Sequence, residues 1–339
     1  MPELRIVQPG GAEDFAGPLQ EALDAVAAAG GGEVVLPPGD YPYRGILVVK
    51  DRTTLRGSGG ARLLPQDPDT GALRLTGEFP AVRELVLEGR AEKRTGRGDA
   101  TGVRLLKAKY AELDRVRVTR TAAAAVFVGQ SEHFRIVNCT VHDCLADGIH
   151  VTQGSRHGQV MGCQSFDNGD DLFALVGYAK DGRLVEHVVI ANNVGRNGKA
   201  RGITCLGARH VAITGNVIDG TDAAGIYLHQ EDSYDTFAPS DVAIVGNVLR
   251  DVSRRVTHAG LFIGGGRGQK ELADGGKVSN GIARVALSNN ILDGSGDAGL
   301  YVAAEAGDVA GGGNLVRNAR HDAVRIRSWG SELEALATD

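Results

Sequence analysis

Cysteine, proline and aromatic residues are all scarce in this 339-residue chain: four Cys, ten Pro, and one Trp, seven Tyr and eight Phe. The four cysteines (Cys139, Cys144, Cys163 and Cys205) lie in apolar segments with no metal-ligand spacing, so they read as buried thiols. Cys139 and Cys163 stand one repeat apart and are expected to stack. No stretch is rich enough in Pro, Ser or charge to mark a linker, which gives one domain over residues 1–339. No window approaches 18 apolar residues, which excludes a transmembrane helix, and no membrane partner is expected. The net charge of −5 comes without a basic run and argues against nucleic acid as a partner. The start, MPELRIVQPGG, has no basic region leading into an apolar run. A cytoplasmic location is therefore expected, with secretion only if a leader had been trimmed.

Glycine, by contrast, is abundant at 49 residues and recurs along the whole chain. A short motif, small residue then aliphatic–X–aliphatic, begins at 101 (TGVRL), 124, 147 (DGIHV), 170 (DDLFA), 201, 224 (AGIYL), 259, 298 and 322. The unit is 23 residues, with three longer spacings of 31, 35 and 39. A second motif places Asn138, Asn193, Asn216, Asn247 and Asn290 in a common register between the first ones. Units this short cannot bury a face alone and must stack. The expected fold is all-β: a single-stranded right-handed parallel β-helix of about ten coils, regular over 101–328, with Asn side chains turned inward as a ladder. Residues 18–29 (PLQEALDAVAAA) form an amphipathic helix that caps the open top. Ser331 and Glu334 make a capping box that predicts a second cap over SELEAL.

The segment LQEALDAVAAAGGGEVVLPPGDYPYRGILVVKDRTTLRGSGGARLL resembles the entry to the pectin-lyase-like β-helix superfamily. That resemblance implies the fold and leaves the reaction open, because the superfamily holds hydrolases, lyases, epimerases and fibres.

In each first motif the residue between the two aliphatics must point outward. Down the stack this column reads Arg104, Phe127, His150, Phe173, Thr204, Tyr227, Phe262, Tyr301 and Arg325. Aromatic side chains so placed serve either as a cross-strand ladder or as a platform for sugar rings. The long spacings put insertions after 176, 229 and 263, and insertions on one edge of a solenoid wall a functional face. The site is expected between coils 147 and 259, bordered by Arg201, Tyr227, His229 and Glu231.

Asp147, Asp170 and Asp171 fall in that stretch. Clustered carboxylates repel, which raises at least one pKa and makes a proton donor available, and they can instead hold a hard cation such as Ca²⁺. LADGI (145–149) followed one coil later by NGDDLFAL (168–175) resembles the polygalacturonase-type glycoside hydrolases. By that resemblance Asp170 is the general acid, and Asp147 and Asp171 activate water in an inverting hydrolysis without cofactor. The family's Asn, His, Arg and Lys are replaced by Leu145, Arg201, Tyr227 and His229, which argues against galacturonan. The sequence thus predicts a carbohydrate-active enzyme. The catalytic candidates are Asp147, Asp170, Asp171 and Arg201, and the substrate-binding ones His150, Phe173, Tyr227, His229, Glu231, Phe262 and Tyr301. The alternatives are a lyase or uronate epimerase with the three aspartates on calcium, Arg201 standing near where a base is expected, and a non-catalytic glycan-binding or fibre protein.

Overall fold

A computed structural model describes residues 3–266, 268–278, 281–328 and 332–337. Short parallel strands stack coil on coil, and one face of the stack is an eleven-stranded sheet running from Leu47–Val49 to Val324–Ile326. The remaining faces come from the 23 strands that pair alongside, all in parallel from Glu3–Ile6 to Glu332–Ala337. The chain is an all-β right-handed parallel β-helix. Alternate residues of each strand point inward, so Val103, Leu105, Val126, Val128, Ile149 and Val151 fill one continuous core. The expected cap is a helix over Ala16–Ala28, which starts two residues before the predicted boundary and buries Leu19, Ala22, Leu23 and Val26. Among the described residues no helix is long and apolar enough to cross a membrane.

The inward ladder is present with a different membership. The Oδ1 atoms of Asn193, Asn216, Asn247, Asn290 and Asn314 each accept a backbone N–H from the coil before, at 2.8–3.1 Å. Asn138 is not part of it. It takes the left-handed turn position just before the ladder (φ 55°), and its amide donates to Asp114. Cys139 and Cys163 hold the ladder positions of the earlier coils instead, as stacked buried thiols, and all four cysteines are free and buried. At another turn, Tyr110, His133, His157, His187 and His210 all adopt positive φ and stack at 4.7–4.8 Å on the surface.

Two expectations are corrected here. Ser331 lies outside the described residues, and Glu332–Ala337 is a strand, not a helical cap; it pairs in parallel with Ala306–Ala319. The outward column contains Ala174, not Phe173: His150 pairs with Ala174, while Phe173 pairs with Ile149 and is buried in the core. The motif DDLFA is therefore one residue out of step. Leu172 occupies the column that holds Gly148 and Gly202 in the neighbouring coils. Space for it comes from Gly195, where even a Cβ would lie 2.9 Å from Leu172.

Candidate functional site

The shifted register decides which acids meet. Asp171, not Asp170, follows Asp147 one coil on, and Arg201 follows Asp171. The backbone N–H of Asp171 donates to Asp147 Oδ1 (3.2 Å), and that of Arg201 to Asp171 Oδ1 (3.0 Å). Asp170 stands beside this row, and one oxygen from each of the three carboxylates lies within 4.8 Å of the others. The three acids picked out from sequence thus converge.

Each has a basic partner. His150 Nδ1 contacts Asp147 Oδ2 at 2.8 Å. Arg201 lies 3.6 Å from Asp171, pairs with Glu231 and sits 4.5 Å over the Tyr227 ring. Asp170 accepts a 2.6 Å bond from Arg94. Sequence reasoning missed Arg94, which reaches in from a loop 76 residues upstream. The signal was a spacing. Leu73 pairs with Val103, so this coil is 30 residues long where the next is 23, and it carries an insertion besides the three after 176, 229 and 263.

The charges follow from these contacts. Burial would raise the Asp147 carboxyl, but His150 and Arg94 hold it below the usual carboxylate range. Burial opposes a charged His150, yet the attraction of Asp147 wins and raises its pKa. For Asp171, burial dominates, and repulsion from Asp147 and Asp170 adds to it against Arg201, pushing it up to about 7. Burial would lower Arg201, but Asp171 and Glu231 outweigh it and leave the guanidinium more firmly protonated than usual.

A cleft of about 430 Å³ opens onto Asp147 and His150. Arg94, Arg97, Arg104 and Lys180 line it, against Asp147 and Asp181. Positions 227 and 229 carry no arginine or lysine, and the cations of this cleft come from other segments. Phe127 stacks on His150 at 5.6 Å along its floor. Of the other candidates, Phe173 is absent from the surface altogether. Tyr227, His229 and Phe262 form an aromatic group with His258, another residue the sequence did not single out, and Phe262 stacks on Tyr301 at 5.1 Å. Burial pushes both His229 and His258 down to about 4, so both are neutral.

The all-oxygen donor set of Asp147, Asp170 and Asp171 suits a hard divalent cation in kind. Arg94 and Arg201 already offset part of its charge, and an ion bound there would compete with Arg94 for Asp170.

A family model described as "Right handed beta helix region" matches residues 91–249 and, overlapping them, 125–319. The chain belongs to the right-handed β-helix family. Among curated proteins, this β-helix is similar to "Mannuronan C5-epimerase AlgE3" of Azotobacter vinelandii, 25% identical over 276 residues, which cover 73% of this chain and 13% of the relative. It spans only 13–23% of the length of the first curated relatives it matches. Among solved structures, the "Azotobacter vinelandii Mannuronan C-5 epimerase AlgE4 A-module" superposes with a TM-score of 0.67 at 15% identity, covering 97% of both chains. A "Catalytic domain of GH87 alpha-1,3-glucanase in complex with nigerose" gives 0.67 at 14%, covering 97% of this chain and 68% of that one. At these identities the two structures show the fold alone.

Proposed function

We propose that this β-helix is an enzyme acting on an acidic, uronate-containing glycan, and that it moves a proton at the ring carbon next to the sugar carboxylate. The observation that carries this reading is the cleft itself: four cationic side chains surround the one histidine–aspartate pair that lines it. A sugar carboxylate entering there competes with Asp170 for Arg94 and gains Arg97 and Lys180. Neutralising that carboxylate acidifies the adjacent C–H. Asp147 fixes the Nδ1–H tautomer of His150 and leaves Nε2 as the nitrogen to take the proton. Return of a proton to the opposite face gives the epimer; loss of the C4 substituent gives an unsaturated sugar. The names of the sequence relatives, mannuronan C5-epimerases, agree with the first outcome. A hard cation held by Asp147, Asp170 and Asp171 would supply further carboxylate neutralisation if bound.

Hydrolysis is the second reading, favoured by the raised pKa of Asp171 beside the ionised Asp147. In that reading the acid is Asp171, because Asp170 is tied to Arg94. One oxygen of each carboxyl lies within 4.8 Å of the others, closer than the roughly 6.5–9.5 Å by which an inverting pair is separated.

The test is incubation with polyuronates in deuterium oxide, with and without chelator, reading C5 deuterium by NMR, absorbance near 235 nm and new reducing ends. Deuterium at C5 that disappears in His150→Gln supports the proposal. Reducing ends without deuterium or absorbance make this a hydrolase. With His150 as the base, activity rises with pH through a pKa above histidine's ordinary value. Asp147→Asn should move that limb to lower pH and cut the rate by about 10²–10⁴.

A further inference from the structure

Toward the C-terminal coils the cleft ends at a wall. On a bare parallel sheet the outward residues Ala174, Val176, Thr204, Leu206 and Tyr227 would face solvent, as Phe127 and Arg104 do two and three coils before Ala174. They are instead at most 4% exposed. The cover comes from the insertions. Tyr178 forms an antiparallel bridge with Thr236, Ala179 N–H donates to Asp235 O (2.7 Å), and Phe237 N–H to Gly177 O (3.0 Å). The third insertion braces the first two: Ala273 N–H donates to Gly182 O (2.9 Å), and Lys270 pairs with Asp235 at 2.5 Å.

Tyr178, with Lys180 and Asp181, is the part of this wall that faces the cleft. Its ring packs against the buried Ala174–Val176–Leu206–Tyr227 cluster, and Lys180 lies 5.1 Å over it. Between the Arg104 coil and the wall there are three strand spacings, about 14 Å, enough for a short run of sugar rings. A polymer threading the whole face would have to pass through residues packed as tightly as the core. Beyond the wall, Phe262 and Tyr301 return to partial exposure.

We propose that Tyr178 closes this cleft and that the enzyme therefore acts on the terminal residue of an acidic glycan chain, with the end of the chain seated against the wall. The aromatic Tyr178 sets the stop, and Lys180, rooted in the same insertion, supplies a cation for the terminal sugar. This rests on the acidic-glycan reading above.

The experiment uses the full chain and a linear hexauronate tagged at its reducing end, incubated in deuterium oxide, with the position of deuterium or cleavage found by fragment-ion mass spectrometry. The expected result is label or cleavage confined to one terminal residue. Polymer of the same total mass should react more slowly as its chains lengthen and their ends become fewer. Replacing residues 178–182 by two glycines should abolish the terminal preference and spread the label to internal residues. Internal and terminal residues labelled equally by the native protein would overturn the closed cleft while leaving the acidic-glycan reading intact. A native protein inert on every uronate would overturn that reading and the present one with it. The native pattern alone decides the matter should the shortened loop fail to fold.

Discussion

At one corner of the coil the side-chain oxygens of Asn193, Asn216, Asn247 and Asn290 accept N–H groups from the coil before; at another, those of Asp147 and Asp171 accept them from the coil after. The geometry is similar and the chemistry is not. An amide both donates and accepts, so each Asn also gives its Nδ2–H to a neighbouring carbonyl and to the next Asn, and the pattern repeats without accumulating charge. A carboxylate only accepts. Two in a row repel, and the row persists only because His150, Arg94 and Arg201 surround it. The amide corner propagates, whereas the acid corner ends after two coils in a cation.

The comparison can be broken most forcefully at Arg201. Arg201→Met strips Asp171 and Glu231 of their shared partner, and the loss of a buried cation should cost about 3–5 kcal/mol, read from the urea midpoint. Asn216→Ala breaks the amide corner. It leaves the Asn193 N–H and the Ile190 carbonyl unmet in a dry interior, at about 3 kcal/mol. Asp171→Asn turns one corner into the other, and its effect depends on pH. With its carboxyl raised from 3.8 to about 7, native Asp171 binds a proton that the unfolded chain has released, so wild-type stability falls as pH rises through that window. The Asn variant lacks this slope, so its stability relative to wild type should climb between about pH 4 and 7 and level off above, in urea titrations across that range. The smallest effect is expected from Cys163→Asn, which extends the amide ladder by one rung. The Cys163 thiol already points at Ile136 O, as Asn193 Nδ2 does at Val160 O, and the gain should be about 1 kcal/mol in the same assay.

Much of this was legible in the sequence. The 23-residue period and the Gly-aliphatic-X-aliphatic motif state the fold, because each coil repeats one local pattern. The convergence of Asp147, Asp170 and Asp171 followed from the same period. What escaped detection depends on contacts between distant segments. Leu172 breaks the glycine column, and the compensating space at Gly195 lies in the next coil, so the motif alone favoured the wrong register and put Phe173 on the surface. Arg94 meets Asp170 across 76 residues through a loop with no motif of its own. The capping box at Ser331 and Glu334 pointed to a helix, but Glu332–Ala337 pairs as a strand with the edge of Ala306–Ala319. Asn138 was misplaced by a single residue, since the turn and ladder positions are adjacent and both accept Asn.

The hydrogen bonds between coils run along the rod, which makes the molecule a graded spring. Tension applied to its two ends loads one coil at a time, and each regular coil that yields releases 23 residues, roughly 75–80 Å of chain. The amide ladder threads only the stretch from Asn193 to Asn314. Coils beyond Asn193 should therefore surrender at higher force than those before it, with the acid cluster seated where the weaker half meets the stronger.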